Sequence, residues 1–216
     1  MTISRSRRRA AAVTLSVAAL LVPAAATEAA PAPPSGATAP APAPAHASVA
    51  GKKGERCPAV ADPMFAAADH GVEVARISPK PAWRTDCKQL YRADSRGPEA
   101  VFEQGFHPKA PMDGQYDLEK YVLVNQPSPY VSTSYDHDLY KQFSKSGFNY
   151  YIDAPGGIDI NKTIGDTHKY ASQEEVAFPG GVSRERIVGV CPVDRHKKTE
   201  IMAQCLDNPH YEPWRG

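Results

Sequence analysis

The chain has 216 residues, of which 25 are Lys or Arg, 24 are Asp or Glu and four are Cys. The first 50 residues hold four of the basic residues and one of the acidic ones, which leaves a net charge of −2 on the remainder with histidine neutral. This balance excludes nucleic-acid binding driven by bulk charge, so any contact with nucleic acid needs a local basic patch.

The beginning of the chain has the order of a secretory signal peptide. Four arginines within the first nine residues precede an apolar run over residues 10–26, and small residues follow it. A single membrane-spanning helix is the alternative, but the run is mostly alanine and falls short of the roughly 20 strongly apolar residues that a span needs. We therefore predict a signal peptide over residues 1–30 and a secreted protein that makes no membrane contact.

A linker rich in proline and alanine follows over residues 31–51. Alternating Pro and Ala form an extended, semi-rigid spacer with nothing to bury. Residues 52–216 then have the length of one domain, which we expect to be monomeric.

All four cysteines, Cys57, Cys87, Cys191 and Cys205, lie after the leader. An even count in an exported chain indicates two disulfides, for which three pairings are possible. We favour Cys57–Cys87 with Cys191–Cys205, which would cross-link the two ends of the domain. Zinc is the alternative, but no two cysteines have C-x₂-C spacing and no pair of histidines supports a site, so we predict no metal.

The domain carries signals for helices and for strands. Pro98 near a first turn, Glu99 beside the helix dipole and Gly105 as a stop predict one short helix. Alternating, β-branched and aromatic residues predict the strands. In chain order, we predict a helix over residues 61–76 that begins at Asp62 and Pro63, a strand over 89–95, the helix from Pro98 to Gly105, a strand over 129–136, an amphipathic helix over 137–147, and strands over 149–155 and 186–194.

The segments between these elements complete the pattern. The helix over 137–147 places Leu139, Tyr140 and Phe143 on one side, with Gly147 as its stop. The polar stretch over 161–171 is interpreted as a mobile connection, and Pro-Gly-Gly marks a turn in two places. The whole indicates a mixed α+β domain with mostly antiparallel strands.

Several common catalytic motifs are missing from the sequence. It contains no G-x-G-x-x-G fingerprint, no Walker A loop, no H-E-x-x-H and no G-x-S-x-G. This argues against a Rossmann cofactor site and directs attention to three polar segments about 40 residues apart.

The first of these segments contains Arg92, between apolar residues of a predicted strand. A guanidinium there is costly unless it meets an anion. Asp94 is too near in the sequence to be a comfortable partner, so we expect another carboxylate of the protein or a ligand phosphate.

The other two segments are Ser-Thr-Ser and Gln-Glu-Glu. In a strand, Ser132 and Ser134 point one way and Thr133 the other. If residues 173–175 are also extended, Gln173 and Glu175 share a face while Glu174 points away, which predicts that the first and third act together.

These segments carry a family resemblance. LYRADSRGPEAVFEQGF resembles the opening of the pertussis toxin catalytic subunit, while NQPSPYVSTS and SQEEVAFPGGV resemble the Scabin- and pierisin-type transferases that modify guanine. The chain is thus similar to the mono-ADP-ribosyltransferase toxins over most of residues 57–205. The resemblance implies an ADP-ribosyltransferase fold of two packed, mostly antiparallel sheets with flanking helices, and NAD⁺ as a co-substrate.

The resemblance also implies roles on the NAD⁺ side. Arg92 would bind a phosphate of NAD⁺, and Ser132, followed by Thr133 and Ser134, would hold the glutamate and the nicotinamide ribose in place. Glu175 would bond the ribose 2′-OH and stabilise the positive charge that develops at C1′ when nicotinamide leaves.

Other positions are assigned to the acceptor or the pocket around it. Gln173 would face the acceptor, since an amide offers both a donor and acceptors to the edge of guanine. Tyr170 would stack on the incoming base, Asn125 would lie near the acceptor or nicotinamide pocket, and Phe143 would lie beside NAD⁺. A core position for Phe143 and an exposed loop position for Tyr170 are the alternatives.

The expected activity is transfer of ADP-ribose from NAD⁺ to guanine in DNA or in a free nucleoside or nucleotide, with slower hydrolysis of NAD⁺. A toxin directed at protein cysteine or asparagine, a pure NAD⁺ glycohydrolase and a non-catalytic binding module remain alternatives.

Overall fold

A computed structural model describes residues 57–143 and 145–215. The predicted signal peptide and linker lie outside the described residues. The helices are α1 (Pro98–Gln104), α2 (Leu118–Val124) and α3 (Ile160–Ile164), with 3-10 helices at Val74–Arg76, His137–Gln142, Ala171–Gln173, Arg184–Arg186 and Met202–Gln204. The strands are β1 (Leu90–Asp94), β2 (Tyr130–Ser134), β3 (Phe148–Ile152), β4 (Ile158–Asp159), β5 (Glu175–Pro179), β6 (Ile187–Asp194), β7 (Thr199–Glu200) and β8 (Leu206–Asp207).

The strands follow the order β4-β5-β2-β1-β3-β6-β7, and β8 also pairs with β6. Every pair of these strands is antiparallel. The predicted α+β class with antiparallel strands is confirmed. No helix within the described residues is long and apolar enough to cross a membrane.

The middle of this strand order is its weakest junction. β1 and β2 share the single register pair Tyr91↔Ser134, whereas β1 with β3 and β2 with β5 each share five. The expected two sheets are therefore two halves of one strand path, joined at one point. Beyond that point the two strands no longer pair, and a cleft opens between them.

The core explains why β5 is held firmly. All five of its residues are buried. Val176 and Phe178 belong to one hydrophobic cluster, with Tyr150 and Phe106, while Ala177 belongs to a second. A strand that is covered on both faces cannot slip in register without exposing apolar side chains, so the position of its first residue is well defined.

The ends of α1 follow the sequence signals. Pro98 occupies the first turn, Glu99 is the acidic residue there, and Gly105 ends the helix at φ 74. Phe106 follows Gly105 directly and forms an antiparallel β-bridge with Val182. The end of α1 therefore places Phe106 in the hydrophobic core.

The predicted helix over residues 61–76 is wrong, since only Val74–Arg76 is helical there, as a 3-10 turn. The N–H groups of Ala68 and Asp69 donate to the carbonyl of Gly180 at 3.1 and 2.9 Å. Hydrogen bonds to the loop after β5 thus take precedence over helical propensity, which is a weak determinant.

The predicted helix over residues 137–147 is shorter than expected. It is a 3-10 helix, His137–Gln142, so Gly147 is not its stop. Phe143 follows in an extended conformation, with φ −107 and ψ 97, and is 43% exposed. Phe143 therefore lies just after the helix in which it was expected, and the alternative of a core position for it is wrong, although it lines the same cleft as Leu139.

The polar stretch over residues 161–171 is more ordered than expected. It begins within α3, where the carboxylate of Asp159 accepts a hydrogen bond from the N–H of Lys162 at 3.0 Å. Asp159 is a helix cap of the usual kind. The segment is thus anchored at its start by a helix that was not predicted, and its mobility stays a prediction.

Two disulfides, Cys57–Cys87 and Cys191–Cys205, have Cα–Cα distances of 5.4 and 4.1 Å. This is the pairing that the sequence analysis favoured. The second joins β6 to the residue before β8, so it fixes the edge of the sheet.

Replacing Cys191 and Cys205 together by serine opens a loop closed across 14 positions of sequence. We expect the free energy of unfolding to fall by about 3 kcal/mol, because the unfolded chain gains conformational freedom. Urea denaturation under oxidising conditions measures the change. An unchanged unfolding midpoint would show that this bond does not restrain the chain.

Candidate active site

A cleft of about 370 Å³ lies where β1 and β2 separate. Arg92, Ala93, Ser132 and Thr133 line it. These are the residues that would have paired next if the β1–β2 ladder had continued beyond Tyr91↔Ser134. The cleft therefore exposes strand positions that a continuous sheet would have used for pairing.

The side chain of Arg92 spans this gap. Its Nη1 donates to the carbonyl oxygen of Ser132 at 2.6 Å. Its Nε donates to Oδ2 of Asp94 at 3.1 Å, and Nη2 lies at the same distance from that oxygen. The guanidinium carbon also lies 5.0 Å from the centre of the Phe106 ring, in cation–π geometry.

The expectation that Asp94 is too close to serve Arg92 is wrong. Residues i and i+2 of a strand share a face, so the guanidinium can fold along β1 onto the carboxylate. Arg96 also donates to Asp94, at 2.9 and 3.0 Å. Burial works to raise the pKa of Asp94, but the hydrogen bonds from Arg96 and the charge of Arg92 hold it well below its usual value. The carboxylate therefore stays ionised and fixes both guanidinium groups.

Glu175 is the first residue of β5 and is 9% exposed. Its Oε1 accepts a hydrogen bond from the hydroxyl of Tyr121 at 2.7 Å. Burial raises the pKa of Glu175, while the hydroxyls of Tyr121 and Ser132 and the charge of Arg92 oppose that rise. The site thus holds a desolvated carboxylate in a cleft, with a guanidinium close enough to affect its ionisation.

Tyr121 was not identified from the sequence. Burial, followed by the nearby charge of Glu175, raises its pKa well above 10, so the phenol stays protonated and donates. It lies on α2 four residues before Asn125. Residues four apart share a helix face. The four-residue spacing between Tyr121 and Asn125, a predicted site residue, was therefore the signal by which the sequence could have identified Tyr121.

The three residues of Ser-Thr-Ser have different surroundings. Ser132 lines the cleft. Thr133 also lines it, but its hydroxyl donates to the carbonyl of Val176 at 2.8 Å. The hydroxyl of Ser134 donates to the carbonyl of Gln173 at 2.7 Å. The second and third hydroxyls therefore join β2 to the chain around Glu175.

Residues 173–175 are not extended as expected. Gln173 ends a 3-10 helix and Glu174 takes the left-handed conformation at φ 45 before β5 begins. Gln173 and Glu175 nevertheless both line the cleft, while Glu174 is exposed. The turn produces the arrangement that an extended strand was expected to give.

The remaining predicted residues form the rim of the cleft. Asn125 ends α2 in the left-handed conformation at φ 53, and Phe143 and Tyr170 are 43% and 36% exposed. All three line the cleft. The ammonium of Lys169 lies 4.7 Å from the centre of the Tyr170 ring. Two flat aromatic faces and an amide are thus available to a ligand.

No group of three or more His, Cys, Asp or Glu in residues 57–143 and 145–215 could hold a metal ion.

Comparisons with known proteins agree on one family. The family model described as Scabin-like matches residues 90–211. A guanine-specific ADP-ribosyl transferase of Streptomyces coelicolor is 69% identical over 163 residues, which cover 76% of this chain and 80% of that protein. Pierisin of Pieris brassicae is 36% identical over 112 residues, which cover 46% of this chain and 13% of pierisin.

Solved structures give the same result. The Scabin toxin of Streptomyces scabies in complex with NADH is 67% identical, with a TM-score of 0.74, and the match covers 74% of this chain and 98% of that one. A guanine-specific ADP-ribosyltransferase is 70% identical, with a TM-score of 0.73, over 74% of this chain and 99% of the other.

Tyr121→Phe removes the donor to Oε1 of Glu175 and leaves the ring. We expect the pKa of Glu175 to rise further, because the ionised carboxylate loses a hydrogen bond that stabilises its charge. Carbon-13 NMR of the glutamate carboxyls measures this pKa. Tyr130→Phe, which removes a buried hydroxyl bonded to the carbonyl of Tyr116, is the control. Equal pKa values in the two variants would contradict the assigned hydrogen bond.

Proposed function

The chain belongs to the Scabin-like family, and we propose that it is a secreted mono-ADP-ribosyltransferase that cleaves NAD⁺ and transfers ADP-ribose to guanine. The observation that carries the proposal is the buried carboxylate of Glu175 in one cleft with Arg92 and Ser132. A fixed carboxylate of this kind suits a reaction in which positive charge develops on a sugar carbon.

Arg92 has the free donors that a diphosphate needs. Three of its N–H groups are used by Ser132 and Asp94. A guanidinium has five, so about two remain. Its side chain is 23% exposed, while Asp94 is only 8% exposed. Arg92 therefore presents its charge to the cleft, and the more deeply buried carboxylate of Asp94 holds the guanidinium in place.

Glu175 is arranged to act through one oxygen. Tyr121 donates to Oε1, and the hydroxyl of Ser132 also bonds the carboxylate. A carboxylate oxygen has two lone pairs, so Oε2 can still accept a hydrogen bond from the 2′-OH of the nicotinamide ribose. The departure of nicotinamide leaves positive charge around C1′, and the carboxylate stabilises that charge. Because burial reduces solvent screening, the carboxylate acts more strongly than it would at the surface.

Gln173 is arranged to receive the acceptor. Its backbone carbonyl is held by Ser134, and its side chain lines the same cleft as Glu175. An amide can donate and accept at once, as the edge of guanine requires. Tyr170 supplies an exposed aromatic face on which the base can stack. Water entering in place of the base would give slow hydrolysis of NAD⁺.

A local basic patch supports guanine within a polynucleotide as an acceptor. The turn between β6 and β7 carries exposed basic residues. One of them, Arg195, donates through Nε to the carbonyl of Ser146 at 3.2 Å. Because Ser146 lines the cleft, this hydrogen bond connects the turn to the edge of the site. Phosphates of a strand whose base enters the cleft can therefore reach this turn. The patch consists of Arg195, His196, Lys197 and Lys198.

Secretion rests on the leader sequence and on the disulfides. Disulfides persist in oxidising compartments and are rare in the cytosol. Two of them, with no free cysteine among the described residues, fit an exported enzyme.

The division of labour within the site has a direct test. Glu175→Gln should lower both transfer to guanosine and hydrolysis of NAD⁺ by at least about 100-fold, the usual effect of removing a group that stabilises charge in the transition state. Gln173→Ala should lower transfer more than hydrolysis, because it does not remove the carboxylate. Mass spectrometry of the products and nicotinamide release measure the two activities.

Glu174→Gln is the matched control for this test, since Glu174 is adjacent and exposed. It should retain both activities. Equal loss of transfer and hydrolysis in Gln173→Ala would contradict the acceptor role. Wild-type protein that releases nicotinamide without any guanine adduct would instead indicate a glycohydrolase, and no release at all would indicate a binding module.

The basic patch predicts a salt-dependent preference for polynucleotides. Lys197→Ala with Lys198→Ala should lower the specificity constant for a single-stranded oligonucleotide relative to that for guanosine. The dependence of log KM on log salt should become shallower by about 0.7 for each phosphate that the variant no longer neutralises. Lys80→Ala with Lys109→Ala, two exposed lysines outside the patch, is the control. An equal effect of both double variants would exclude the patch as a phosphate site.

A further inference from the structure

The chain between α3 and β5 carries both residues that the proposed function assigns to the acceptor, Tyr170 and Gln173. Gln173 is secured by Ser134 and by the start of β5. Tyr170 is tied to Gln173 through its backbone, since its carbonyl accepts a hydrogen bond from the N–H of Gln173 at 2.9 Å, and its exposed ring faces the ammonium of Lys169. The direction of this ring therefore depends on what holds its backbone.

Besides the local backbone hydrogen bonds, two side chains hold that backbone. The Nδ2 of Asn161 donates to the carbonyl of Ala171 at 2.9 Å. The Nε2 of His168 lies 3.0 Å from Oδ1 of Asn161, and its Nδ1 lies 3.3 Å from the N–H of Tyr170. The imidazole thus bridges α3 to the residue that carries the exposed ring.

The partners determine the tautomer of His168. A backbone N–H can only donate, so Nδ1 must be the unprotonated acceptor toward Tyr170. The hydrogen of the neutral ring then lies on Nε2 and is donated to Oδ1 of Asn161. This leaves Nδ2 of Asn161 facing the carbonyl of Ala171, as observed. One assignment satisfies all three hydrogen bonds.

The support behind Asn161 is rigid. Its neighbour Ile160 is fully buried, and Asp159 caps the helix. Thr163 donates to the carbonyl of Asp159 at 2.7 Å and accepts from the N–H of Ala82 at 3.0 Å. By contrast, residues 165–167 are exposed. The side-chain bridge therefore connects Tyr170 to the core across a stretch that is not itself packed.

We propose that Asn161 and His168 are positioning residues that set the acceptor side of the site, by fixing Tyr170 relative to Glu175. Neither is among the residues that line the cleft, so their effect on the base would pass through Tyr170. This inference rests on the proposed function, and it predicts a defect confined to the acceptor. Guanine should bind less well to the variants, while cleavage of NAD⁺ by water should continue.

The test compares His168→Ala and Asn161→Ala with wild type, using NAD⁺ and guanosine. The KM for guanosine should rise about five- to tenfold, the size expected for losing one or two hydrogen bonds, and the ratio of transfer to hydrolysis should fall. The KM for NAD⁺ should change less than about twofold. His168→Gln restores one donor and one acceptor, so its KM for guanosine should lie between those of His168→Ala and wild type.

Two further measurements keep the test decisive. His70→Ala, which removes an exposed histidine that does not line the cleft, is the matched control and should behave as wild type. Amide hydrogen exchange should be faster at Tyr170 and Ala171 in His168→Ala than in wild type, whether or not the protein is active. Exchange therefore tests whether His168 holds the backbone of Tyr170, independently of whether guanine is the acceptor.

The outcomes are distinct. Equal loss of transfer and hydrolysis, or an unchanged KM for guanosine, would overturn the positioning role. Unchanged exchange at Tyr170 would show that the bridge does not hold the backbone. Wild-type protein that modifies no guanine would overturn the proposed function itself, and with it the acceptor role of the bridge.

Discussion

The site depends on the guanidinium of Arg92, which connects two strands where the sheet comes apart. β1 and β2 pair once and then separate, and the 2.6 Å hydrogen bond from Arg92 to the carbonyl of Ser132 replaces the ladder bonds that are missing there. Asp94 and the ring of Phe106 hold the guanidinium from behind. The same charge that stabilises the gap is therefore available to an anion that enters it.

The second constraint is the burial of Glu175. A carboxylate in such a position is costly, and its raised pKa expresses that cost. Tyr121, Ser132 and Arg92 offset the cost without removing it. The strand that begins at this residue is covered on both faces, so the carboxylate cannot relax toward water. Fold stability and the chemistry of the site thus compete at one side chain, as is common where a charge must act in a dry environment.

The sequence predicted more of the site than of the surrounding connections. Arg92 was recognisable because a charged residue between apolar residues of a strand is conspicuous, and Glu175 because the three polar segments occur in the order of the family that the chain resembles. Tyr121 was missed because its hydrogen bond joins it to a residue 54 positions away, and its only local signal was the four-residue spacing from Asn125. Asp94 was rejected as a partner of Arg92 because a pair so close in the sequence was expected to be strained. In a strand, however, residues i and i+2 lie on the same face and can pair. Phe143 was expected in an amphipathic helix, but whether such a pattern continues as a helix is decided by tertiary contacts.

The most direct test of the account is a crystal structure of the protein with NADH bound. The account predicts a phosphate of the dinucleotide against the guanidinium of Arg92. It also predicts the 2′-OH of the nicotinamide ribose within hydrogen-bond distance, about 3 Å, of Oε2 of Glu175, with Tyr121 still on Oε1. A dinucleotide bound outside the gap between β1 and β2, or a ribose that does not reach Glu175, would contradict it.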